Sequence, residues 1–356
     1  MVLTLAATLG SSPAAAAAAP VPATPAPASI APFAAVAPTR IMPLGDSITE
    51  GIGSSTDSSY RAELWRRLVD VDGFGVDFVG SLRHGQLPDV DHEGHSGWTI
   101  AQIAAQIDGW LATSRPDVVL LHIGTNDMRT AATAAGAPQR LSALIDRIRA
   151  DLPATTVFVA QIVPSTEAGT NGRVVTFNAA IPGIVAASNS TRVRLVNMFG
   201  AVNSATDFAD SLHPNDSGYA KMAATWEAAV APVLPAGRIT GLGGKCIDTG
   251  ATSVNGAPIQ LWTCHGGPAQ RWTVQAGTLR NRGRCMEVPG GATANGTQLR
   301  LWACTGGANQ AWQWRPDGTI FNPASGRCVD VPFGQATDGN RLIIWDCKAS
   351  ANQVWT

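Results

Sequence analysis

The chain has 356 residues, 45% of them apolar and 14% charged, with a formal net charge of −1. That length accommodates two domains of ordinary size, and the composition builds a packed core rather than a disordered chain. The near-neutral balance, with no long run of one sign, excludes nucleic acid and anionic membrane surfaces as partners, since both recruit a concentrated basic patch.

In chain order, Val2 to Leu9 is a short apolar stretch, followed by small residues as far as Ala19. It has the pattern of the apolar and cleavage regions of an export signal, although no Lys or Arg precedes it, and it is too short to span a bilayer. Ala and Pro dominate from Pro20 to Pro38, an extended spacer. Residues 1–38 are thus read as signal-like segment and linker, residues 39–235 as a first domain and 238–356 as a second.

Apolar runs in the first domain predict strands at Arg40–Leu44, Gly75–Val79, Val118–Ile123, Thr156–Ile162 and Val193–Asn197. Amphipathic stretches between and after them predict helices at Tyr60–Val71, Thr99–Ala112, Pro138–Asp151, Val174–Ala187 and Asn215–Val233. Strand then helix, repeated, argues for an α/β domain: a parallel sheet covered by helices on both faces, with reactive groups at the carboxyl ends of its strands.

Past about Arg238 the helical period vanishes, and seven of the eleven tryptophans appear. The segment repeats about every forty residues, the signature of tandem units burying a shared core. Gly244-Lys245-Cys246-Ile247-Asp248 returns as Gly283-Arg284-Cys285-Met286-Glu287 and as Gly326-Arg327-Cys328-Val329-Asp330. Each unit reaches a Trp-x-Cys step at Trp262, Trp302 or Trp345 and closes on Gln-x-Trp at Trp272, Trp312 or Trp355. All six cysteines lie here, as Cys246/Cys264, Cys285/Cys304 and Cys328/Cys347, separated by 18, 19 and 19 residues. A zinc site would want closer ligands, so disulfides within each unit, and an oxidising compartment, are the better reading than zinc or free thiols.

The chemistry is concentrated in the first domain. Gly45-Asp46-Ser47-Ile48-Thr49 directly follows the first predicted strand. A serine hydroxyl attacks only when a base takes its proton, and Asp210-Ser211-Leu212-His213-Pro214 offers a base with an acid three residues before it. No Gly-x-Ser-x-Gly elbow is present, which argues against an α/β-hydrolase. Asn126 ends the third strand in Gly124-Thr125-Asn126-Asp127, and Gly97 lies in Glu93-Gly94-His95-Ser96-Gly97-Trp98. Both are candidate donors to a developing oxyanion. Asp46 and Asp127 are read as acceptors of backbone N–H groups. The Asp91, His92, Glu93 and His95 cluster does not follow a His-Glu-x-x-His pattern and is not read as a metal site. His122, inside an apolar strand, is expected to be a core histidine.

These segments resemble the SGNH/GDSL hydrolase superfamily over roughly residues 40–235, and that resemblance implies a flavodoxin-like three-layer fold. Carried over, Ser47 is the nucleophile, His213 the base and Asp210 its orienter. The Ser47 and Gly97 backbone N–H groups and the Asn126 amide form the oxyanion hole, and no cofactor or metal takes part. Four stretches are similar to carbohydrate esterase family 3, known for acetylxylan esterases: Ile41 to Ser47, Ser59 to Leu64, Val76 to Ser81, and Asp91 to Ile100. The second domain resembles the ricin B-type β-trefoil, or carbohydrate-binding module family 13.

That resemblance implies sugar pockets at Asp248, Gln260, Trp262 and Gln270, and at Asp330, Trp345, Asn352 and Gln353, each built from an aromatic platform, a carboxylate and amides. Ala269 replaces an amide in the first, and Ile343 replaces one in the third. The second unit departs further, with Glu287 and Arg300 beside Trp302, Asn309 and Gln310. The order expected for function is first, third, second, with Trp272, Trp312 and Trp355 assigned to the core. The whole then reads as a secreted, monomeric serine esterase that removes acetyl groups from a plant cell-wall polysaccharide, xylan foremost, and is anchored by a sugar-binding module. The alternatives are a lipase or phospholipase on the same scaffold, and a lectin with an inactive esterase half.

Overall fold

The computed structural model describes residue 1 and residues 37–235 and 237–356. The signal-like segment and most of the spacer therefore lie outside the described residues.

In the first domain the strands are β1 (Thr39–Gly45), β2 (Val76–Phe78), β3 (Leu82–Arg83), β4 (Asp91–Gly94), β5 (Val118–His122), β6 (Thr156–Ala160) and β7 (Val193–Val196). They form one sheet in the order β3-β4-β1-β5-β6-β7, with β2 beside the first half of β1. Every pairing is parallel except the β3–β4 hairpin. The helices are α1 (Ser47–Glu50), α2 (Arg61–Trp65, extended by a π-helical turn over Arg66–Val71), α3 (Ile100–Ser114), α4 (Ala131–Ala134), α5 (Ala137–Asp151), α6 (Ala168–Ala187) and α7 (Asp216–Val230).

Strand side chains alternate between faces, and two cores result. Ile41, Phe78, Leu120 and Phe158 join Leu64, Leu68, Met222 and Trp226 of α2 and α7 on one side. Met42, Val119, Leu121 and Val157 join Ile103, Leu144 and Ile181 of α3, α5 and α6 on the other. This is the three-layer architecture expected. The chain passes from β4, on one side of β1, to β5 on the other, and such a switch in strand order opens a crevice at the carboxyl ends.

Several features were not expected, among them the one-turn helices α1 and α4. The β3–β4 hairpin is short and polar, so it carries no apolar alternation. Helix α6 begins at Ala168 rather than Val174, because its first turns, with Gly169 and Gly172, hide the period.

In the second domain the strands are β8 (Cys246–Asp248), β9 (Gln260–Trp262), β10 (Thr273–Gln275), β11 (Thr278–Asn281), β12 (Arg284–Glu287), β13 (Arg300–Ala303), β14 (Gln313–Trp314), β15 (Ile320–Asn322), β16 (Arg327–Asp330), β17 (Asn340–Arg341) and β18 (Ile343–Trp345). The pairs β8–β9, β12–β13 and β16–β18 are antiparallel, and the disulfides Cys246–Cys264, Cys285–Cys304 and Cys328–Cys347 each pin one of them. A closed triangle of backbone hydrogen bonds joins the three units: Ile259 N–H donates to Leu299, Leu299 to Leu342 and Leu342 to Ile259. Trp272, Trp312 and Trp355 are buried, and each indole donates to a strand carbonyl, of Ile247, Met286 and Val329 respectively. That threefold closure is a β-trefoil.

The two domains touch along a defined seam. The Arg271 guanidinium donates to the Asp72 carbonyl at 2.8 Å and lies 4.3 Å from the centre of the Phe74 ring. Gly75 backs onto Thr273 so closely that a Cβ would stand 2.5 Å from its methyl. Gly75 also pairs with Thr39 at the start of β1, so the trefoil sits at the amino ends of the strands.

Candidate active site

Ser47, Gly97 and Asn126 follow β1, β4 and β5, three neighbouring strands, so the sheet order alone gathers them at one edge of the crevice. Ser47 opens α1, where the buried Asp46 caps the helix by accepting the Ile48 N–H at 3.0 Å. The last carbonyls of this one-turn helix would be orphaned in the core. Arg61 satisfies them. Its fully buried guanidinium donates to Thr49 and Glu50 carbonyls at 3.1 and 2.9 Å, and to those of Val90 and His84 at 3.2 and 2.9 Å. Burial pulls the Arg61 pKa down to about 10, so the group stays cationic at neutral pH.

His213 comes from the far end of the domain, on the turn before α7. Its Nε2 lies 2.8 Å from Ser47 Oγ, and its Nδ1 lies 2.7 Å from Asp210 Oδ2. The other oxygen, Asp210 Oδ1, accepts the backbone N–H groups of Leu212 and His213, each at 2.8 Å. Burial opposes ionisation of Asp210, but the bonds from the His213 ring and these backbone groups outweigh it, holding the carboxyl below the usual range. An ionised Asp210 accepts from Nδ1–H, which leaves Nε2 bare to accept the serine proton.

The Gly97 loop is built from stacked rings. His95 is sandwiched between Trp98 and Trp110, with ring centres 4.4 and 4.5 Å away and planes tilted by 26° and 14°. Its Nε2 lies 2.6 Å from Glu93 Oε1, and the buried Glu93 also accepts from the Ser81 N–H and hydroxyl, both at 2.7 Å. The His95 backbone N–H donates to the Gly45 carbonyl at 3.0 Å, tying this loop to the turn carrying Ser47. Gly97 adopts φ +78°, and nothing lies within 4 Å of where a Cβ would project. Asn126 donates one amide hydrogen to the Trp98 carbonyl at 3.0 Å, which leaves its second N–H uncommitted among the described contacts.

Asp127 accepts from Ile100 N–H and Arg140, at 2.9 and 2.8 Å. Asp46 is less settled: among the described residues its Oδ2 has no hydrogen-bond partner, and burial outweighs the Ile48 bond to push its pKa up to about 6. His122 departs from the satisfied core histidine expected. Its Nε2 accepts from Val163 N–H at 3.3 Å, but Nδ1 is buried without a partner among the described residues, and burial lowers the pKa to about 4. The acidic and histidine cluster is drawn apart by β4: Asp91 pairs with Arg83, His92 Nδ1 accepts from Gly94 N–H, and Glu93 holds His95. Among the described residues no three His, Cys, Asp or Glu side chains could hold a metal ion. The supporting roles of Arg61, Ser81 and Trp110 are not marked by local spacing, and Glu93 stands out in the sequence only as part of the acidic and histidine cluster, not as the partner of His95.

In the trefoil, Trp262 and Trp345 are 39% and 37% exposed. Gln270 and Gln353 are far less open than these two tryptophans. They are 1% and 0% exposed, and their amides tie the loop after each platform: Gln270 to His265 and Thr263, Gln353 to Lys348 and Asp346. In the first unit Gln260 donates to Asp248 Oδ1 at 3.2 Å, and His265 lies 3.2 Å from Oδ2, an imidazole absent from the expected set. In the second, Arg300 binds Glu287 at 2.8 Å and covers the Trp302 ring at 4.0 Å, so the pocket is filled by its own side chain. In the third, Asp330 Oδ2 accepts from Asn352 and Gln353 at 2.8 and 2.7 Å, beside an open cavity of about 510 Å³ bounded by Phe333, Ile343 and Trp345.

Comparison with known proteins agrees with this division. A family model for a GDSL-like Lipase/Acylhydrolase family matches residues 44–221, and one for a ricin-type beta-trefoil lectin domain matches residues 235–355. A multidomain esterase of Ruminococcus flavefaciens is 32% identical over 52% of this chain and 28% of its own length. A putative endoglucanase X of Acetivibrio thermocellus is 39% identical over 36% of this chain and 56% of its own. The chain thus spans well under two thirds of either relative. The solved structure of a Clostridium thermocellum family 3 carbohydrate esterase is 44% identical over 53% of this chain and 94% of that one, with a TM-score of 0.48. With its family model covering the hydrogen-bonded Ser47, His213 and Asp210, this chain belongs to the GDSL-like lipase/acylhydrolase family and carries a ricin-type β-trefoil lectin domain at its C-terminal end.

Proposed function

We propose that the protein is an extracellular serine esterase that removes acetyl groups from a plant cell-wall polysaccharide, with xylan as the polymer. The observation that carries the reading is the unbroken chain from Ser47 Oγ through His213 to Asp210, at 2.8 and 2.7 Å. Ser47 attacks the acetyl carbonyl as His213 Nε2 takes its proton, and Asp210 steadies the imidazolium that forms. The oxyanion is met by the backbone N–H groups of Ser47 and Gly97 and the free amide hydrogen of Asn126. His213 then returns the proton to the leaving sugar oxygen. A water activated by the same nitrogen attacks the acetyl-enzyme and releases acetate.

The relatives named as an esterase and an endoglucanase support a carbohydrate setting, and the disulfides support an oxidising compartment outside the cell. The trefoil supplies the polymer contact, through Asp330, Trp345 and Asn352 in the third unit and Asp248, Gln260 and Trp262 in the first. The open cavity favours the third unit.

The test is acetate release from acetylated xylan beside hydrolysis of short- and long-chain synthetic esters, with Ser47→Ala as control. The expected result is acetate from xylan, a short-chain preference, and loss of at least about a thousandfold in the variant. Hydrolysis of long-chain esters alone would move the substrate to lipids.

A further inference from the structure

The third trefoil unit places a bulky residue in a backbone conformation that its neighbour gives to glycine. Val288-Pro289-Gly290-Gly291 and Val331-Pro332-Phe333-Gly334 make the same turn, with Gly290 at φ 60°, ψ 12° and Phe333 at φ 58°, ψ 10°. Glycine enters this left-handed region freely, whereas a bulky side chain there is a genuine outlier. Phe333 gains nothing from packing in return, since it is 93% exposed. Its ring stands at the rim of the cavity beside Trp345. At the floor, Ile343 occupies the position of Gln260, whose amide in the first unit donates to the pocket carboxylate. An amide that could read a sugar hydroxyl has thus been exchanged for an aliphatic group, while Asp330 and Asn352 keep the polar side.

Acetylating a hydroxyl makes the matching change in a ligand: the O–H donor is lost and a methyl group is gained. We infer that the third pocket selects an O-acetylated glycan unit, the esterase's substrate rather than its product, with Ile343 and Phe333 enclosing the acetyl methyl while Trp345 stacks on the ring. The inference rests on the reading of this pocket as a sugar site. Deacetylation would then weaken the module's hold on a chain already processed.

The test uses the full-length Ser47→Ala chain, slowed by at least about a thousandfold, titrated calorimetrically with O-acetylated xylo-oligosaccharides and with the same oligosaccharides after alkaline deacetylation. The acetylated set should bind about fourfold tighter, the worth of one buried methyl group. Adding Trp345→Ala should abolish that preference, which separates the pocket from the esterase crevice. Ile343→Gln and Phe333→Gly should each bring the ratio towards one, and Phe333→Gly relieves a strained turn, so folding is not in question. Equal affinities, with binding lost on Trp345→Ala, would overturn the acetyl preference and leave the sugar reading standing, whereas a preference that survives Trp345→Ala would place it in the esterase crevice and overturn its assignment to this pocket. Absence of binding to either set would remove both.

Discussion

Asp46, beside Ser47, holds a carboxylate oxygen in the core with no hydrogen-bond partner among the described residues, and its pKa, raised by burial to about 6, has a consequence for stability. A folded-state value raised above the usual 3.8 means that the folded chain binds this proton more tightly than the unfolded one. The stability it contributes is fully present below about pH 4 and is lost as pH rises through about 6. Asn keeps the capping oxygen without the charge. Asp46→Asn should therefore match the parent near pH 4 and exceed it near pH 7.5 by about 2 kcal/mol. Denaturant unfolding at both pH values checks this, and an equal gap at both would refute it. Asp210→Asn acts on rate instead: the amide no longer fixes the His213 tautomer, and kcat should fall by about a hundredfold or more with little change in KM.

At the scale of elements, α1 is a single turn placed by one buried cation. Arg61→Met removes all four carbonyl contacts and leaves those oxygens in the core without donors. The expected loss is about 3 kcal/mol or more, read as a lowered unfolding midpoint, and acetate release should fall with it as Ser47 loosens. The disulfides act one unit at a time. Replacing Cys285 and Cys304 together by Ser opens a loop of 19 residues and should cost about 3 kcal/mol, measurable by unfolding of the second domain.

The strands that bury both faces, such as β5 and β6, were legible as apolar runs, and the amphipathic helices by their period. The β3–β4 hairpin was not, because pairing with each other and with β1 supplies what local pattern lacks. The site divides in the same way. Ser47, Gly97, Asn126, Asp210 and His213 lie in short motifs that sequence displays. Arg61 and Trp110 reach the site only through folding over long separations. Gln270 and Gln353 recur with the repeat and are buried, and their amides tie the loops that follow Trp262 and Trp345.

Across the whole molecule, Arg271 joins the halves without touching either site. Arg271→Ala should leave hydrolysis of small synthetic esters unchanged while loosening the seam, seen as faster proteolysis near residues 235–238 or a broader small-angle scattering profile. The seam's position carries a further meaning. It lies at the start of β1, and Ser47 follows the end of that seven-residue strand, a span of roughly 20 Å. Anchor and blade are thus mounted at opposite poles of the sheet. A glycan gripped by the trefoil would have to double back along the domain to present its own esters to Ser47. On the proposed function, this arrangement suits a chain that holds one polysaccharide strand and deacetylates its neighbours, and crowding of strands, rather than the length of any one of them, should set how much the module adds.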